Sequence, residues 1–289
     1  MTKRLGLSDD TPLFRFGILT DIHYADIDPI GVKYFRNSLC KLQECVIQLS
    51  SFRLAFVIQL GDLIEKNVNS FDPVLTHLRD IKCQLYHILG NHDFEVDDID
   101  KSLVISKIGL SRRYYAFSPV QGWRCLVLDG TLISLFSHQI GSIQWRKNQA
   151  IYQKMLDTNE PNAKEWNGAI DEDQLIWLKR QLTEASQKEE KVIVFCHFPT
   201  SPPGESFTLW NSSKVVKILE EANCVSVYFS GHQHSGTYDF QNHIHHFGLH
   251  AMLETSNQNS YAIIEVFQNR MNVVGFGRQP SRILPFELT

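Results

Sequence analysis

The chain has 289 residues, 43% of them hydrophobic, which is enough to bury a substantial core. Its formal net charge of −4 gives no basic footprint for a long nucleic acid, and no apolar run reaches the length of a membrane span. The six cysteines form no CxxC pair, and the N-terminal "MTKRLGLSDDTPLF" lacks the apolar core of a signal peptide. We therefore expect a single cytoplasmic domain over residues 1–289, with no membrane partner.

Six short runs rich in Val, Ile, Phe and Tyr predict β-strands that end in polar residues. In chain order they are "FRFGILTDIH", "LAFVIQLGD", "CQLYHILGNHD", "RCLVLDG", "KVIVFCHFP" and "CVSVYFSGHQH". Helical patterns lie between some of them, most clearly "KYFRNSLCKLQECVIQLSS" and "DEDQLIWLKRQLTEAS". The second opens with Asp171 and Gln174 at capping-box spacing. Alternating strands and helices predict an α/β core with buried sheets.

The pattern changes after "GHQHSG". The stretches "HIHHFGLHAML", "YAIIEVFQ" and "MNVVGFG" follow one another without helices, and they predict antiparallel strands added to the same core. Residues 131–170 are the least regular part of the chain, and we predict a lid or an insertion there.

Five of the predicted strands end in side chains that can bind a metal. These candidates are Asp21, His23, Asp62, Asn91, His197, His232 and His234. In open α/β sheets, sites are built at the carboxyl ends of strands. Each residue alone could be a helix cap, a turn residue or a buried core histidine. Five such endings in one chain instead predict a metal site.

The spacing of two pairs suggests how the donors are shared. Asp21 with His23, and His232 with His234, would each present two donors on one face if the strand continued through them. The two pairs could then chelate one ion. Asp62 has two oxygens and could bridge two ions.

A second ion would be completed by Asn91, His197 and His232, with the Asn91 amide supplying a neutral oxygen where another anion would add repulsion. Glycines precede three of the candidates, at positions 61, 90 and 231. We expect them to allow tight turns at the strand ends.

The motifs D-x-H, G-D, G-N-H-D, a strand-terminal His and G-H-x-H, in this order over residues 16–234, resemble the calcineurin-like metallophosphoesterase superfamily. The resemblance implies a four-layer α/β/β/α sandwich with a dinuclear centre of divalent manganese, iron or zinc that hydrolyses phosphoesters. The stretches "FGILTDIHYADID", "WNGAIDEDQLIWL", "TLWN" and "GFGRQPSR" are similar to the manganese-dependent ADP-ribose/CDP-alcohol diphosphatases. Two ions, manganese first, and a small phosphorylated nucleotide substrate are therefore expected.

The resemblance also implies roles for further residues. His92 would lie beside the leaving-group oxygen and donate a proton, and Asp93 would orient its ring. Trp210 and Asn211 of "TLWN" would cover a base or sugar face or, with equal weight, start a helix packed on the core. Arg278 of "GFGRQP" would pair with a distal phosphate.

Two departures from this group stand out. Its vertebrate members have glutamine where this chain has His23, and they carry a longer stretch between "VLDG" and "WNG". The sequence leaves three functions open: cleavage of the pyrophosphate of ADP-ribose or CDP-alcohols by a hydroxide held between two metals, a cyclic-nucleotide phosphodiesterase or protein phosphatase activity, and a non-enzymatic scaffold. The complete ligand set and His92 favour an enzyme.

Overall fold

The computed structural model describes residues 11–286, which form two six-stranded sheets and six α-helices. The strands are β1 (Phe14–Leu19), β2 (Phe56–Gln59), β3 (Gln84–His87), β4 (Tyr115–Phe117), β5 (Trp123–Val127), β6 (Lys191–Phe195), β7 (Val225–Ser230), β8 (Ser235–Gln241), β9 (Ile244–His250), β10 (Ser260–Val266), β11 (Arg270–Gly277) and β12 (Arg282–Pro285). The helices are α1 (Asn37–Ser50), α2 (Phe71–Leu78), α3 (Val104–Ile108), α4 (Ile143–Asp157), α5 (Glu172–Gln187) and α6 (Ser212–Glu220).

The two sheets stack face to face. The first has the order β12-β11-β10-β1-β2-β3 and the second β4-β5-β6-β7-β9-β8. Aromatic rings of both sheets fill the space between them, with Phe16 of the first sheet 5.8 Å from Phe195 and 6.1 Å from Phe229 of the second. Helices α1 and α2 cover the outer face of the first sheet, and α5 and α6 that of the second. The predicted α/β/β/α sandwich is confirmed.

The C-terminal strands differ in part from the prediction. Strands β10 and β11 are antiparallel, as expected. Strand β9, however, runs parallel to β7, and the unpredicted β8 pairs antiparallel on its outer side. The β8–β9 hairpin turns at Asn242 and His243, which both have positive φ, as two-residue hairpin loops require. Because β8 is a half-exposed edge strand, its sequence lacks the apolar run that marked the others.

Residues 131–170 are more regular than their sequence suggested, since they contain α4. Ser142 caps this helix by accepting a hydrogen bond from the Trp145 N–H at 3.2 Å. The helix buries only Asn148 and Met155, so its apolar stripe is too thin to predict a helix from periodicity. That the segment moves as a lid stays a prediction.

The first ten residues, which include most of the stretch without a predicted signal peptide, lie outside the described part of the chain. Within residues 11–286, the helices all fall short of the length and apolar character needed to cross a bilayer. The cytoplasmic location and the single-domain organisation stay predictions.

Candidate metal centre and cleft

The candidate ligands follow the strands on loops with unusual backbone geometry. Asp21, His23, Asp62 and His232 have φ of 52°, 46°, 57° and 67°, in the left-handed region that non-glycine residues rarely adopt. The strands have therefore ended before the ligands begin, and side-chain alternation no longer applies. The expectation that His232 and His234 share one strand face is wrong: they join different ligand groups.

Two of the three glycines allow close approach of neighbouring loops. A Cβ on Gly90 would lie 2.1 Å from the Asp62 Oδ1, and a Cβ on Gly231 would lie 2.7 Å from the Asp21 Oδ2. Only Gly61, with φ of +108°, matches the tight turn expected of all three. Glycine at 90 and 231 brings the loops after β2 and β3, and those after β1 and β7, into contact.

The first ligand group consists of Asp21, His23 and His234, whose donor atoms lie within 4.8 Å of one another. The Asp21 Oδ1 is 3.5 Å from the His23 Nε2 and 3.6 Å from the His234 Nε2. Carboxylates back both rings: the His23 Nδ1 is 3.1 Å from a Glu65 oxygen, and the His234 Nδ1 is 3.3 Å from a Glu254 oxygen. Such outer partners fix the ring orientation and tautomer of a metal-binding histidine.

The second ligand group contains Asp62, His197 and His232, with Asn91 beside them. The His197 Nε2 is 3.1 Å from the Asp62 Oδ2 and 3.2 Å from the Asn91 Oδ1. Neutral oxygens back both of its rings. The His197 Nδ1 donates to a backbone carbonyl at 2.8 Å, and the His232 Nε2 donates to the side-chain oxygen of Asn167 at 2.9 Å.

Asp62 joins the two groups. Its Oδ1 accepts the backbone N–H of His92 at 2.8 Å, and its Oδ2 lies 3.3 Å from the His23 Nε2 and 3.1 Å from the His197 Nε2. Asp21 Oδ1, His23 Nε2 and Asp62 Oδ2 are buried and lack a hydrogen-bond partner within residues 11–286. Buried polar atoms are normally satisfied, so three converging exceptions indicate a cation. Their mixed nitrogen and oxygen character fits divalent transition metals.

His92 lies beside the second group and is paired with carboxylates. Its Nδ1 is 2.9 Å from Glu65 and 3.2 Å from Glu95. Burial lowers the pKa of His92, but the negative charge of Asp62 and these carboxylates outweighs burial and raises the pKa well above its usual value. The sequence reasoning missed Glu65, which stands three residues after Asp62 in "GDLIE".

The expectation that Asp93 orients His92 is corrected by its contacts. The buried Asp93 carboxylate accepts the backbone N–H groups of Asp62, Leu63 and Gly90 at 3.1, 2.8 and 2.9 Å. Burial, together with the charge of Asp62, raises the pKa of Asp93 to about 7. Asp93 therefore holds the loops after β2 and β3 together, and the Glu65 carboxylate takes the part expected of it.

A cleft of about 520 Å³ opens above the two groups. Two half-exposed rings line it, those of Trp166 and Phe207, whose centroids are 6.4 Å apart with planes inclined by 37°. Lys33 also lines the cleft, and it is the only lysine or arginine among the described lining residues. None of these three residues was predicted, because no motif marks them.

The structure does not place Trp210, Asn211 or Arg278 in the cleft. Trp210 is 6% exposed and packs in a cluster with Met155, while its indole N–H donates to a backbone carbonyl at 3.1 Å. The Asn211 amide exchanges two hydrogen bonds with the backbone of residue 170. The Arg278 guanidinium pairs with Glu254 at 2.8 Å. These contacts correct the expectation that the three residues bind substrate.

A stacked two-sheet sandwich with two ligand groups joined by one carboxylate defines a metal-dependent phosphohydrolase. Residues 14–236 match the sequence profile of the calcineurin-like phosphoesterases. The chain belongs to the calcineurin-like phosphoesterase family, as its motifs indicated.

Several proteins are similar over nearly their whole length. The manganese-dependent ADP-ribose/CDP-alcohol diphosphatase of Arabidopsis thaliana is 32% identical, over 96% of this chain and 98% of that protein. The proteins of the same name from Xenopus tropicalis and Homo sapiens are 29% and 26% identical, over 95% and 97% of this chain and 95% of each relative. A crystal structure of a dimetal phosphatase from Danio rerio superposes with a TM-score of 0.86 at 26% identity, over 96% of this chain and 100% of that one.

Proposed function

We propose that the protein is a manganese-dependent diphosphatase that hydrolyses the pyrophosphate bond of ADP-ribose, CDP-alcohols or similar nucleoside diphosphate derivatives. The names of the relatives support this substrate class and manganese. The observation that carries the proposal is the position of Asp62, whose Oδ2 lies within 3.3 Å of a histidine nitrogen of each ligand group.

Two ions would share Asp62. The other ligands of the first ion would be Asp21, His23 and His234, and those of the second Asn91, His197 and His232. When bound, two divalent cations lower the pKa of a water molecule and neutralise the charge that develops on a phosphoryl group. The buried carboxylates of Asp21 and Asp62 make the site favourable for cations and hold them below the open cleft.

His92 is suited to assist the leaving group. It lines the cleft, and its Nδ1 is engaged by Glu65, so the proton on Nε2 is the one available for a departing phosphate oxygen. The backbone N–H of His92 donates to Asp62, which ties the position of the ring to the shared ligand.

The remaining lining residues suit the two ends of a nucleoside diphosphate derivative. Trp166 and Phe207 offer aromatic faces to a nucleobase, which stacks on such rings with little dependence on its identity. Lys33 offers a positive charge for phosphate oxygens from the other side of the cleft.

A substrate panel with added manganese tests the proposal. We expect AMP from ADP-ribose and CMP from a CDP-alcohol, and neither product from the Asp62→Ala variant. Faster phosphate release from a phosphoprotein, or faster ring opening of a cyclic nucleotide, would show the substrate class to be wrong. A protein that binds two ions and turns over no phosphoester would be a scaffold.

A further inference from the structure

Lys41, in α1, is a buried lysine surrounded by backbone carbonyls. Its side chain is 2% exposed, although lysine is almost never fully buried unless it is paired. The Nζ donates to the carbonyl of Met252 and to those of the next three residues at 3.1, 3.1 and 3.0 Å. Successive carbonyls of an extended strand point in opposite directions, so four that face one atom require a bent backbone. We call residues 252–255 the carbonyl segment.

The carbonyl segment contacts the first ligand group on its other side. The backbone N–H of Leu253 donates to the carbonyl of Asp21 at 2.9 Å, and the Glu254 carboxylate lies 3.3 Å from the His234 Nδ1. Lys41 is therefore separated from Asp21 and His234 by this one segment.

The second ligand group has no such connection. Within residues 11–286, no hydrogen bond joins the carbonyl segment to Asn91, His197 or His232. The histidines of this group are backed by the Leu60 carbonyl and by Asn167. A change at Lys41 should therefore reach one ion and spare the other.

We infer that Lys41 is a positioning residue for the first metal ion, and that its ammonium acts as a tethered monovalent cation that holds the carbonyl segment in place. The inference rests on the proposed two-ion centre. Rings of backbone carbonyls bind free monovalent cations in the same manner. Without the ammonium, four buried carbonyls lose their donor, and the segment relaxes away from the geometry that aims Glu254 at His234.

The test compares single-ion backgrounds. His197→Ala leaves the first ligand group intact, and Asp21→Asn leaves the second. Lys41→Met, which removes the charge and keeps most of the volume, is added to each, and manganese binding is followed by electron paramagnetic resonance without substrate. We expect about 10–100-fold weaker binding in the His197→Ala background, the usual effect of disturbing the partner of a metal ligand, and no change in the Asp21→Asn background.

Lys101→Met is the matched control. Lys101 is also largely buried and donates to a backbone carbonyl, that of His138 at 3.3 Å, but it pairs with Asp98 and does not contact the carbonyl segment. Its loss should leave manganese binding unchanged in both backgrounds. Wild-type affinity for the first ion in Lys41→Met, or equal weakening of both ions, would overturn the inference.

A second variant separates positioning from simple packing. Lys41→Ala leaves room for a small cation, so ammonium or potassium should restore the affinity of the first ion with increasing concentration. If Lys41→Met does not fold, this variant decides the matter: recovery with ammonium supports the inference, and no recovery, or no folding in ammonium, overturns it. A wild type that binds two ions but cleaves no nucleoside diphosphate contradicts the proposed substrate alone. A wild type that binds fewer than two overturns both.

Discussion

The two ligand groups use similar donors but are backed by different partners. In the first group, the outer nitrogens of His23 and His234 face carboxylates. In the second group, those of His197 and His232 face neutral oxygens. A carboxylate behind an imidazole makes it a stronger ligand and adds negative charge near the cation. The fold thus supplies two neighbouring sites of unequal electrostatic strength.

The inner ligands increase this difference. The first group has the carboxylate of Asp21 in addition to the shared Asp62, whereas the second adds only the neutral Asn91. Opposite charges that are buried together are screened little by solvent. We therefore expect the first ion to bind more tightly and to be the last removed by a chelator.

The largest effect should come from removing the ligand that both groups share. Asp62→Ala should bind neither ion with useful affinity and should lose activity completely, since one oxygen serves both groups. Metal analysis and release of AMP from ADP-ribose measure the two losses. Asp62→Asn, which keeps an acceptor for the His92 N–H, controls for loop collapse and should be nearly as inactive. A folded Asp62→Ala variant with near-full activity would show that Asp62 is not the shared ligand.

His92→Ala should separate chemistry from metal binding. We expect both ions to stay bound and kcat to fall by roughly 10²–10⁴-fold, as when a general acid is removed. The loss should be smallest for p-nitrophenyl esters, whose leaving oxygen needs little help from a proton. Loss of an ion, or an equal loss for activated and unactivated substrates, would instead give His92 a structural or electrostatic role.

Glu254→Gln tests the difference between the groups. The carboxylate behind His234 becomes neutral, as in the second group, so affinity for the first ion should fall by about 10–100-fold while the second ion is unaffected. Manganese titration in the His197→Ala and Asp21→Asn backgrounds measures each ion separately. Glu95→Gln is the control, because Glu95 pairs with His92 and with no candidate ligand. If Glu254→Gln changed both ions equally, the unequal backing of the groups would have no functional consequence.

The sequence predicted the layers and the strand-end candidates because their signals are local. Apolar runs mark buried strands, and polar residues mark where the runs stop. The capping-box spacing of Asp171 and Gln174 was informative only for the cap, since Asp171 accepts the Gln174 N–H at 2.9 Å. The Gln174 side chain binds the backbone of Asp129 instead of returning to the cap.

The division of ligands between the groups could not be predicted. Strand periodicity assigned His232 and His234 to one face, but the positive φ of His232 sends the two rings to different groups. Neither backbone sign nor a distant partner such as Glu254 leaves a mark near these residues in the sequence. The contacts that set the strength of each site arise only when loops from both sheets meet.

The chain contains two Trp-Asn pairs, and the sequence favoured the wrong one for substrate contact. Trp166 and Asn167 lie at the cleft, whereas Trp210 and Asn211 pack where α6 begins. Both pairs are identical as dipeptides, so only tertiary placement distinguishes them.

The smallest predicted effect uses this difference. Trp166→Ala should raise KM for ADP-ribose roughly fivefold with little change in kcat, because stacking on a half-exposed ring contributes about 1 kcal/mol, the low end for a base on an aromatic side chain. Thermal stability should hardly change, since the ring is 44% exposed. Trp210→Phe should do the reverse, lowering the melting temperature through loss of the indole hydrogen bond and leaving KM unchanged. Steady-state kinetics and thermal melts of both variants decide the matter. A rise in KM confined to Trp210→Phe would return the base-binding role to the second pair and make Trp166 a surface residue of the cleft rim.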